Sequence, residues 1–197
     1  SAGDARQAAE QAQAAALAMT QVRGGLLAVY SLIADKDRNH AHLTIGRLLL
    51  ANIPEDKREA HLFDIVNQWN WGKDIITDAG EKELLAGLNL EAGRKAKQSS
   101  AFKAALEYFE TGIAILKDDP WNVQYELCRN LHTEATEAAY LNGDFATMDK
   151  YYPIVLKNTR NLLEKVKPYE IRILAYKAEN KLLDAIKTGL ELLKQLG

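Results

Sequence analysis

The sequence predicts an all-α fold built from repeated pairs of helices. No segment of the 197 residues alternates apolar and polar side chains with a period of two, so no strand is expected. Apolar residues instead recur at spacings of three and four, which places them on one face of a helix. The clearest example is the stretch Phe102, Ala105, Leu106, Phe109, Ile113, Leu116. The other helices are interpreted as copies, partners and flanks of this segment.

The predicted helices follow one another with short breaks. An N-terminal helical region, rich in Ala and Gln at its start, covers residues 4–34 and is interrupted at Gly24-Gly25. Residues 35–39 are polar and are predicted to form a turn. The later helices are predicted over approximately 40–51, 54–71, 78–97, 101–116, 120–141, 144–167, 168–179 and 181–196.

Short polar side chains predict two helix starts. Thr77 or Asp78 is expected to cap the helix over 78–97, and Ser99 or Ser100 the next one, because such side chains accept hydrogen bonds from free N–H groups. The face of the 78–97 helix that is predicted to be buried consists of Leu84, Leu85, Leu88 and Ala92.

Proline and glycine predict the remaining boundaries. Pro54, Pro120 and Pro168 each suit the first turn of a helix, where the missing N–H is not needed. Gly72 is interpreted as a C-terminal stop. Pro153 lies inside a helical pattern and predicts a distortion or break there.

Three segments share one register. Phe102, Phe145 and Leu182 align at intervals of 43 (102 to 145) and 37 (145 to 182) residues. Two residues before each of them lie Ser100, Gly143 and Asn180. Six residues before lie Ala96, Ala139 and Tyr176, and nine residues before lie Gly93, Thr136 and Ile173. Seven positions downstream they are Phe109, Tyr152 and Gly189. Internal repetition of this kind is typical of a helical solenoid.

The best-formed copy resembles a tetratricopeptide repeat. It reads Gly93-x-x-Ala96, then Phe102-x-x-Ala105-Leu106-x-x-Phe109-x-x-Gly112, then Asp119-Pro120. The resemblance implies a right-handed α-α superhelix of tetratricopeptide-like repeats with an N-terminal helical extension. Small residues at Gly93, Ala105 and Gly112 are expected to let helices approach closely. An irregular helical bundle is the alternative fold.

A longer resemblance covers residues 26–197. The segments Ala28-Val-Tyr-Ser-Leu-Ile33, Leu62-Phe-Asp-Ile-Val-Asn-Gln68 and Ala138-Ala-Tyr-Leu-Asn-Gly-Asp-Phe145 are similar to a helical region of large bacterial multi-sensor signalling kinases. In those proteins this region follows an AAA-type (STAND-like) ATPase, which lies between a Ser/Thr-kinase-like domain and a GAF domain with a histidine kinase.

The resemblance implies a division of the chain into two parts. Residues 1–50 are expected to form N-terminal helices at the end of the ATPase part, and residues 51–197 the tetratricopeptide-like domain. Residues 1–21 lie outside the match and are interpreted as a boundary extension or a non-native segment.

Composition argues against several classes of partner and compartment. The net charge is −2, with 25 Lys and Arg against 27 Asp and Glu, so we expect no nucleic-acid or anionic-membrane partner. No apolar run reaches the ~20 residues of a membrane span, and no signal peptide is visible. Cys128 is the only cysteine, and its helical apolar surroundings predict an inert buried thiol. A cytoplasmic protein is expected.

The sequence contains no motif that predicts catalysis or a cofactor. Neither a phosphate-binding glycine loop nor a histidine-kinase catalytic signature is present. His40, His42, His61 and His132 lack the spacing of a metal site, and Asp118-Asp119 lacks the ligand pattern of an EF-hand. We therefore expect a segment that is not an enzyme and binds no cofactor or metal.

The three tryptophans have two interpretations. Trp69, Trp71 and Trp121 each suit a gap between packed helices, because large aromatic side chains dominate core burial. Alternatively, Trp71 or Trp121 anchors a partner protein.

The predicted function is protein interaction and signal relay within a larger signalling ATPase or kinase. The first helix of each pair is expected to line a groove that docks a protein segment. The candidate groove residues are Arg94, Lys97, Gln98, Asn130, Thr133, Glu137 and Lys177, with Glu170 beside them. The alternatives are a self-assembly element whose uncovered terminal face pairs with another copy, giving a homo-oligomer, or a helical domain that binds a small ligand.

Overall fold

A computed structural model describes residues 35–116 and 119–196 of the chain. The ten α-helices of this part are α1 (Asp35–Asn52), α2 (Glu55–Arg58), α3 (Leu62–Trp71), α4 (Ala79–Gln98), α5 (Phe102–Ile115), α6 (Pro120–Val123), α7 (Tyr125–Leu141), α8 (Phe145–Asn158), α9 (Leu163–Ala178) and α10 (Leu182–Leu196). A 3₁₀ turn, Lys73–Ile75, follows α3. The all-α prediction is confirmed for these residues. The predictions for residues 1–34 and for Asp118 lie outside them.

The helices are arranged as three successive pairs. α4 packs against α5, α7 against α8, and α9 against α10. The first helices lie side by side, α4 beside α7 and α7 beside α9, while α5 also contacts α7 and α8 also contacts α9. This neighbour-to-neighbour arrangement is that of a helical repeat fold. Ahead of the pairs, α1 packs on α3 and α3 on α4. The predicted division between residues 50 and 51 falls within α1.

The same turn joins the two helices of every pair. The aligned residues Ser100, Gly143 and Asn180 all have left-handed backbones, with φ of 59°, 73° and 60°. In each turn an N–H donates to the carbonyl five residues earlier: Ala101 to Ala96 at 2.9 Å, Asp144 to Ala139 at 2.9 Å, and Lys181 to Tyr176 at 2.8 Å. This hydrogen bond belongs to a Schellman helix stop. The alignment of three segments that the sequence predicts is therefore confirmed at the turns within the three helix pairs.

One predicted cap in this turn is wrong. Either Ser99 or Ser100 is expected to cap the start of α5, but both belong to the stop that follows α4, and Ala101 precedes α5 without a side-chain cap. Short polar residues favour helix starts and left-handed stops alike, so residue type did not distinguish the two. Asp78, by contrast, caps α4 as predicted, because its Oδ1 accepts from the Glu81 N–H at 2.7 Å.

Other predicted boundaries are also wrong. Residues 35–39 are helical and begin α1, since polar side chains without Gly or Pro do not stop a helix. The chain from Pro54 to Gly72 is divided between α2 and α3, and the chain from Pro120 to Leu141 is divided at Gln124.

Pro168 lies inside α9 and does not start it. A reciprocal pair of hydrogen bonds lies at the true start: the Glu164 N–H donates to Asn161 Oδ1 at 3.1 Å, and Glu164 Oε2 accepts from the Asn161 N–H at 3.4 Å and from the Arg160 N–H at 2.8 Å. This is a capping box of the Asn-x-x-Glu type, a signal that is present in the sequence.

Gly72 does follow α3, but its backbone is not left-handed (φ −98°). A Cβ at this position would lie 2.7 Å from Leu43 Cβ and 2.8 Å from the Asn39 carbonyl oxygen. Glycine is thus required here because α1 passes directly over the end of α3.

The main hydrophobic core runs through α4, α5, α7, α8 and α9. Phe109 lies at its centre and is fully buried against Gly93, where a Cβ would come within 2.3 Å of the Phe109 ring. A Cβ on Gly112 would approach Leu131 to 2.7 Å. The prediction that Gly93, Ala105 and Gly112 allow close helix packing is confirmed. No helix among the described residues is long and apolar enough to cross a membrane.

Candidate functional site

The face formed by α4, α7 and α9 carries a chain of ion pairs, here called the ladder. Its members are Arg94 and Lys97 on α4, Glu134 and Glu137 on α7, and Lys167 and Glu170 on α9. The ladder forms because the three helices lie side by side and present opposite charges at the same height. It links all three helix pairs across their first helices.

The shortest contacts lie at the middle helix. Lys97 Nζ is 2.5 Å from Glu134 Oε2 and 2.5 Å from Glu137 Oε2, and Arg94 Nε is 2.8 Å from Glu134 Oε1. On the other side, Lys167 Nζ is 2.7 Å from Glu137 Oε1. Both glutamates therefore bridge two cations and are largely shielded from water, with 16% and 21% of their side-chain surface exposed.

The charges in the ladder stabilise one another. Burial alone raises the pKa of Glu137, but hydrogen bonds from Lys167 and Lys97 outweigh this and hold that pKa below its usual value. Burial likewise lowers the pKa of Lys97, while the hydrogen bonds that Lys97 donates to Glu134 and Glu137 outweigh this effect and raise that pKa. Both pKa shifts favour the charged forms of Glu137 and Lys97, and their ion pairs tie neighbouring repeats together.

The structure brings only some of the predicted groove residues together. Arg94, Lys97 and Glu137 meet in the ladder, with Glu170 at its end. Asn130 and Thr133 are half-buried on α7, nearer its start. Lys177 is exposed on α9, ten residues beyond Lys167, or roughly 15 Å along the helix. Gln98 is exposed at the end of α4.

Sequence reasoning missed Glu134 and Lys167, which complete the ladder. Their signal was present: Arg94 and Glu134 are 40 residues apart (94 to 134), close to the intervals between repeats. Opposite charges one repeat apart on first helices are expected to face each other, because those helices are neighbours.

A large open cleft lies beside the ladder, between α4 and the three helices that precede it. Its volume is about 1180 Å³. The floor is apolar and consists of Leu50 from α1, Leu62, Ile65 and Trp69 from α3, and Leu84 and Leu88 from α4. Leu84, which was predicted to be buried, is 47% exposed because it faces this cleft. Arg94 and Gln98 lie at the end of the cleft nearest the ladder.

Charged side chains surround the floor, and the basic ones are engaged within the protein. Arg47 makes a double hydrogen bond with Glu81, at 2.6 and 2.7 Å, and Lys95 donates to the Glu59 carbonyl oxygen at 2.5 Å.

The acidic rim of the cleft consists of Glu55, Glu59 and Glu91. These carboxylates line the cleft and are exposed. None of them forms an ion pair or a side-chain hydrogen bond with another residue that the structure describes. The cleft therefore combines an apolar floor with three available negative charges.

The three tryptophans occupy different environments. Trp69 is buried at 2% exposure against Gly46, so for this residue the core interpretation holds. Trp121 is half-buried, with its ring centroid 5.0 Å from that of His132. Trp71 is 65% exposed and stacks on His42 at 5.4 Å. Trp71 remains the candidate partner anchor, although it does not line the cleft.

Cys128 and His132 are adjacent in the core and carry no reactive arrangement. Burial raises the pKa of the Cys128 thiol to about 12, and burial lowers the pKa of His132. Both shifts favour the neutral forms, and the predicted burial of the Cys128 thiol is confirmed. Among residues 35–116 and 119–196, no group of three His, Cys, Asp or Glu side chains is placed to hold a metal ion.

Comparison with curated proteins places this chain near a signalling protein. It is similar to hybrid signal transduction histidine kinase G of Dictyostelium discoideum, with 27% identity over 194 residues, which is 86% of this chain and 6% of that protein. The chain thus spans a small part of a much longer relative. No family model matches the chain, and no solved structure matches it. This similarity fits the predicted resemblance to signalling kinases.

Proposed function

We propose that this chain is a non-catalytic docking module of a larger cytoplasmic signalling protein, and that its cleft binds a helical segment of a protein. The observation that carries the proposal is the cleft, with its apolar floor and its acidic rim. Its volume of about 1180 Å³ exceeds the ~300–1,000 Å³ of typical small-molecule pockets. An amphipathic helix laid in an apolar groove is a recurrent mode of peptide recognition.

The ladder supports this role as a rigid frame. Arg94, Lys97 and Glu137 are already paired within the protein, so a partner would have to displace those contacts in order to use them. We propose that they hold the three helix pairs in one orientation and so relay the position of the bound segment along the repeats. That residues 51–197 are a tetratricopeptide-like arm beside an AAA/STAND-type ATPase is part of the same proposal.

The test is a binding experiment with matched variants of this chain. Wild type, Leu84→Asp and Leu163→Asp are immobilised and exposed to lysate, and captured proteins are purified and measured again one by one. Leu84→Asp places a charge on the cleft floor. Leu163→Asp changes a leucine that is 77% exposed on α9, away from the cleft, and serves as the control.

We expect a purified partner to bind wild type and Leu163→Asp equally and to lose at least tenfold in affinity for Leu84→Asp. The proposal fails if every purified partner binds all three proteins alike. Circular dichroism confirms that each variant is folded, which the exposure of both leucines favours.

A further inference from the structure

The last helix of the repeat carries an apolar stripe that nothing in the described chain covers. Leu183, Ile186, Leu190 and Leu193 lie on one side of α10 at spacings of three, four and three, and they are 74%, 59%, 52% and 62% exposed. An adjacent side of α10 packs on α9 through Ala185 and Gly189. The helix is therefore apolar on two faces, of which only one is buried. Exposed apolar patches of this kind mark interaction sites.

Basic side chains border this stripe. Lys187 and Lys194 follow Ile186 and Leu193 directly in sequence, so each lies about 100° around the helix from its neighbour and along one edge of the stripe. The Lys187 side chain is 76% exposed, with only a loose contact of 3.8 Å to Asp184. α10 thus presents an apolar ridge with positive charges along one edge.

We propose that α10 of one copy docks in the cleft of a second copy, so that this chain associates head to tail. The inference rests on the proposed function, since it names the segment that the cleft receives. The surfaces are complementary: the leucines of α10 meet the floor of Leu62, Leu84 and Leu88, while its lysines meet Glu55, Glu59 and Glu91, which no other described residue pairs with. The stripe from 183 to 193 is roughly 15 Å long, and the side of α4 that lines the cleft, 81 to 98, is roughly 26 Å long.

Pairing of two α10 helices with each other is the less favourable arrangement. An antiparallel pair would bring the lysine edges of both copies to one seam, whereas the cleft supplies carboxylates. A head-to-tail contact leaves one cleft and one α10 free at the ends, so it generates open chains and no closed dimer. One helix face is smaller than the ~800 Å² per partner of a stable complex, so the association is weak and reversible.

The test uses the purified chain alone in sedimentation velocity over a hundredfold range of concentration. We expect wild type to show a sedimentation coefficient that rises continuously with concentration. Leu84→Asp in the cleft and Leu190→Asp on α10 each abolish this rise, while the control Leu163→Asp leaves it unchanged.

An equimolar mixture of Leu84→Asp and Leu190→Asp tests the head-to-tail geometry directly. Leu84→Asp retains its α10 and Leu190→Asp retains its cleft, so together they form a 1:1 dimer and nothing larger. In the same way Glu91→Lys weakens the association, and Lys187→Glu in the same chain restores part of it.

Two results would overturn the inference. In the first, wild type remains a monomer at every concentration, which leaves the capture of other partners by the cleft as a separate question. In the second, the association is lost in Leu190→Asp but unchanged in Leu84→Asp, which shows that α10 pairs with itself and leaves the cleft free.

Discussion

The first and last helix pairs share one register but bury their second helices to different extents. α5 lies between α4 and α7, and its Phe109 is fully buried. α10 packs on α9, and Leu190 remains 52% exposed. The same supersecondary unit thus provides core in one place and an open surface in another. Position in the stack, more than apolar content, decides which role a second helix has.

The two pairs also differ in which helix carries the small residue that allows close packing. In the first pair the small residue is Gly93 on the first helix and the large one is Phe109 on the second. In the last pair the aligned positions are exchanged, with Ile173 on the first helix and Gly189 on the second, and a Cβ on Gly189 would lie 3.7 Å from Ile173 Cδ1. In both pairs a large side chain on one helix therefore faces a glycine on the other, although the helix that carries the glycine differs.

The largest expected effect contrasts Phe109→Ala with Leu190→Ala. Phe109→Ala leaves a cavity in the main core and is expected to lower the free energy of unfolding by about 3–5 kcal/mol. Leu190→Ala removes atoms that already face water and is expected to change it by less than about 0.5 kcal/mol. Urea denaturation at low protein concentration, where the chain is monomeric, measures both. Equal losses would contradict the assignment of α10 as an open surface.

Replacing Gly93 or Gly189 by alanine is expected to change the stability by a smaller amount, with opposite signs in the two pairs. Gly93→Ala forces a Cβ against the Phe109 ring and is expected to destabilise the protein by about 1–3 kcal/mol. Gly189→Ala makes an ordinary contact with Ile173 and removes a flexible residue from a helix, so it is expected to stabilise by about 0.5–1 kcal/mol. Thermal and urea unfolding give both values. If Gly93→Ala proves neutral, the first pair is packed less tightly than described.

The smallest effect concerns the ladder that connects the two pairs through Glu137. The pKa of the Glu137 carboxyl is lowered in the folded state. The contribution of this group to stability is therefore present above its unfolded pKa near 4.5, and it is lost as pH falls through the folded pKa. Glu137→Gln is therefore expected to be less stable than wild type at pH 7, with the difference narrowing below about pH 4.5. Urea midpoints measured between pH 7 and pH 3 test this.

A matched control for the ladder is Glu83→Gln. Glu83 is exposed on α4 and forms no ion pair with any other described residue. Its replacement is expected to leave the midpoint at pH 7 unchanged. A pH-independent difference between wild type and Glu137→Gln would show that the glutamate acts through its shape and not through its charge.

Helix existence and repeat register were predictable because they depend on local pattern. Phe102, Phe145 and Leu182 each begin the second helix of a pair, as their alignment indicated. Helix boundaries were less predictable where one residue type serves several purposes, as with Ser100 and Gly72. Four of the six ladder residues were selected as groove residues, namely Arg94, Lys97, Glu137 and Glu170. Their partners were missed because these depend on which helices become neighbours.

The sequence by itself determined that this protein is helical, that its second helices start in a repeated register, and that Cys128 is a buried core residue. These features follow from periodicity, turn chemistry and composition, which act over a few residues. Only the tertiary structure decided that Leu84 faces a cleft while Phe109 is buried, and that the leucines of α10 are exposed while similar side chains are core. The physical reason is that burial depends on which surfaces meet, and such contacts join residues far apart in the chain.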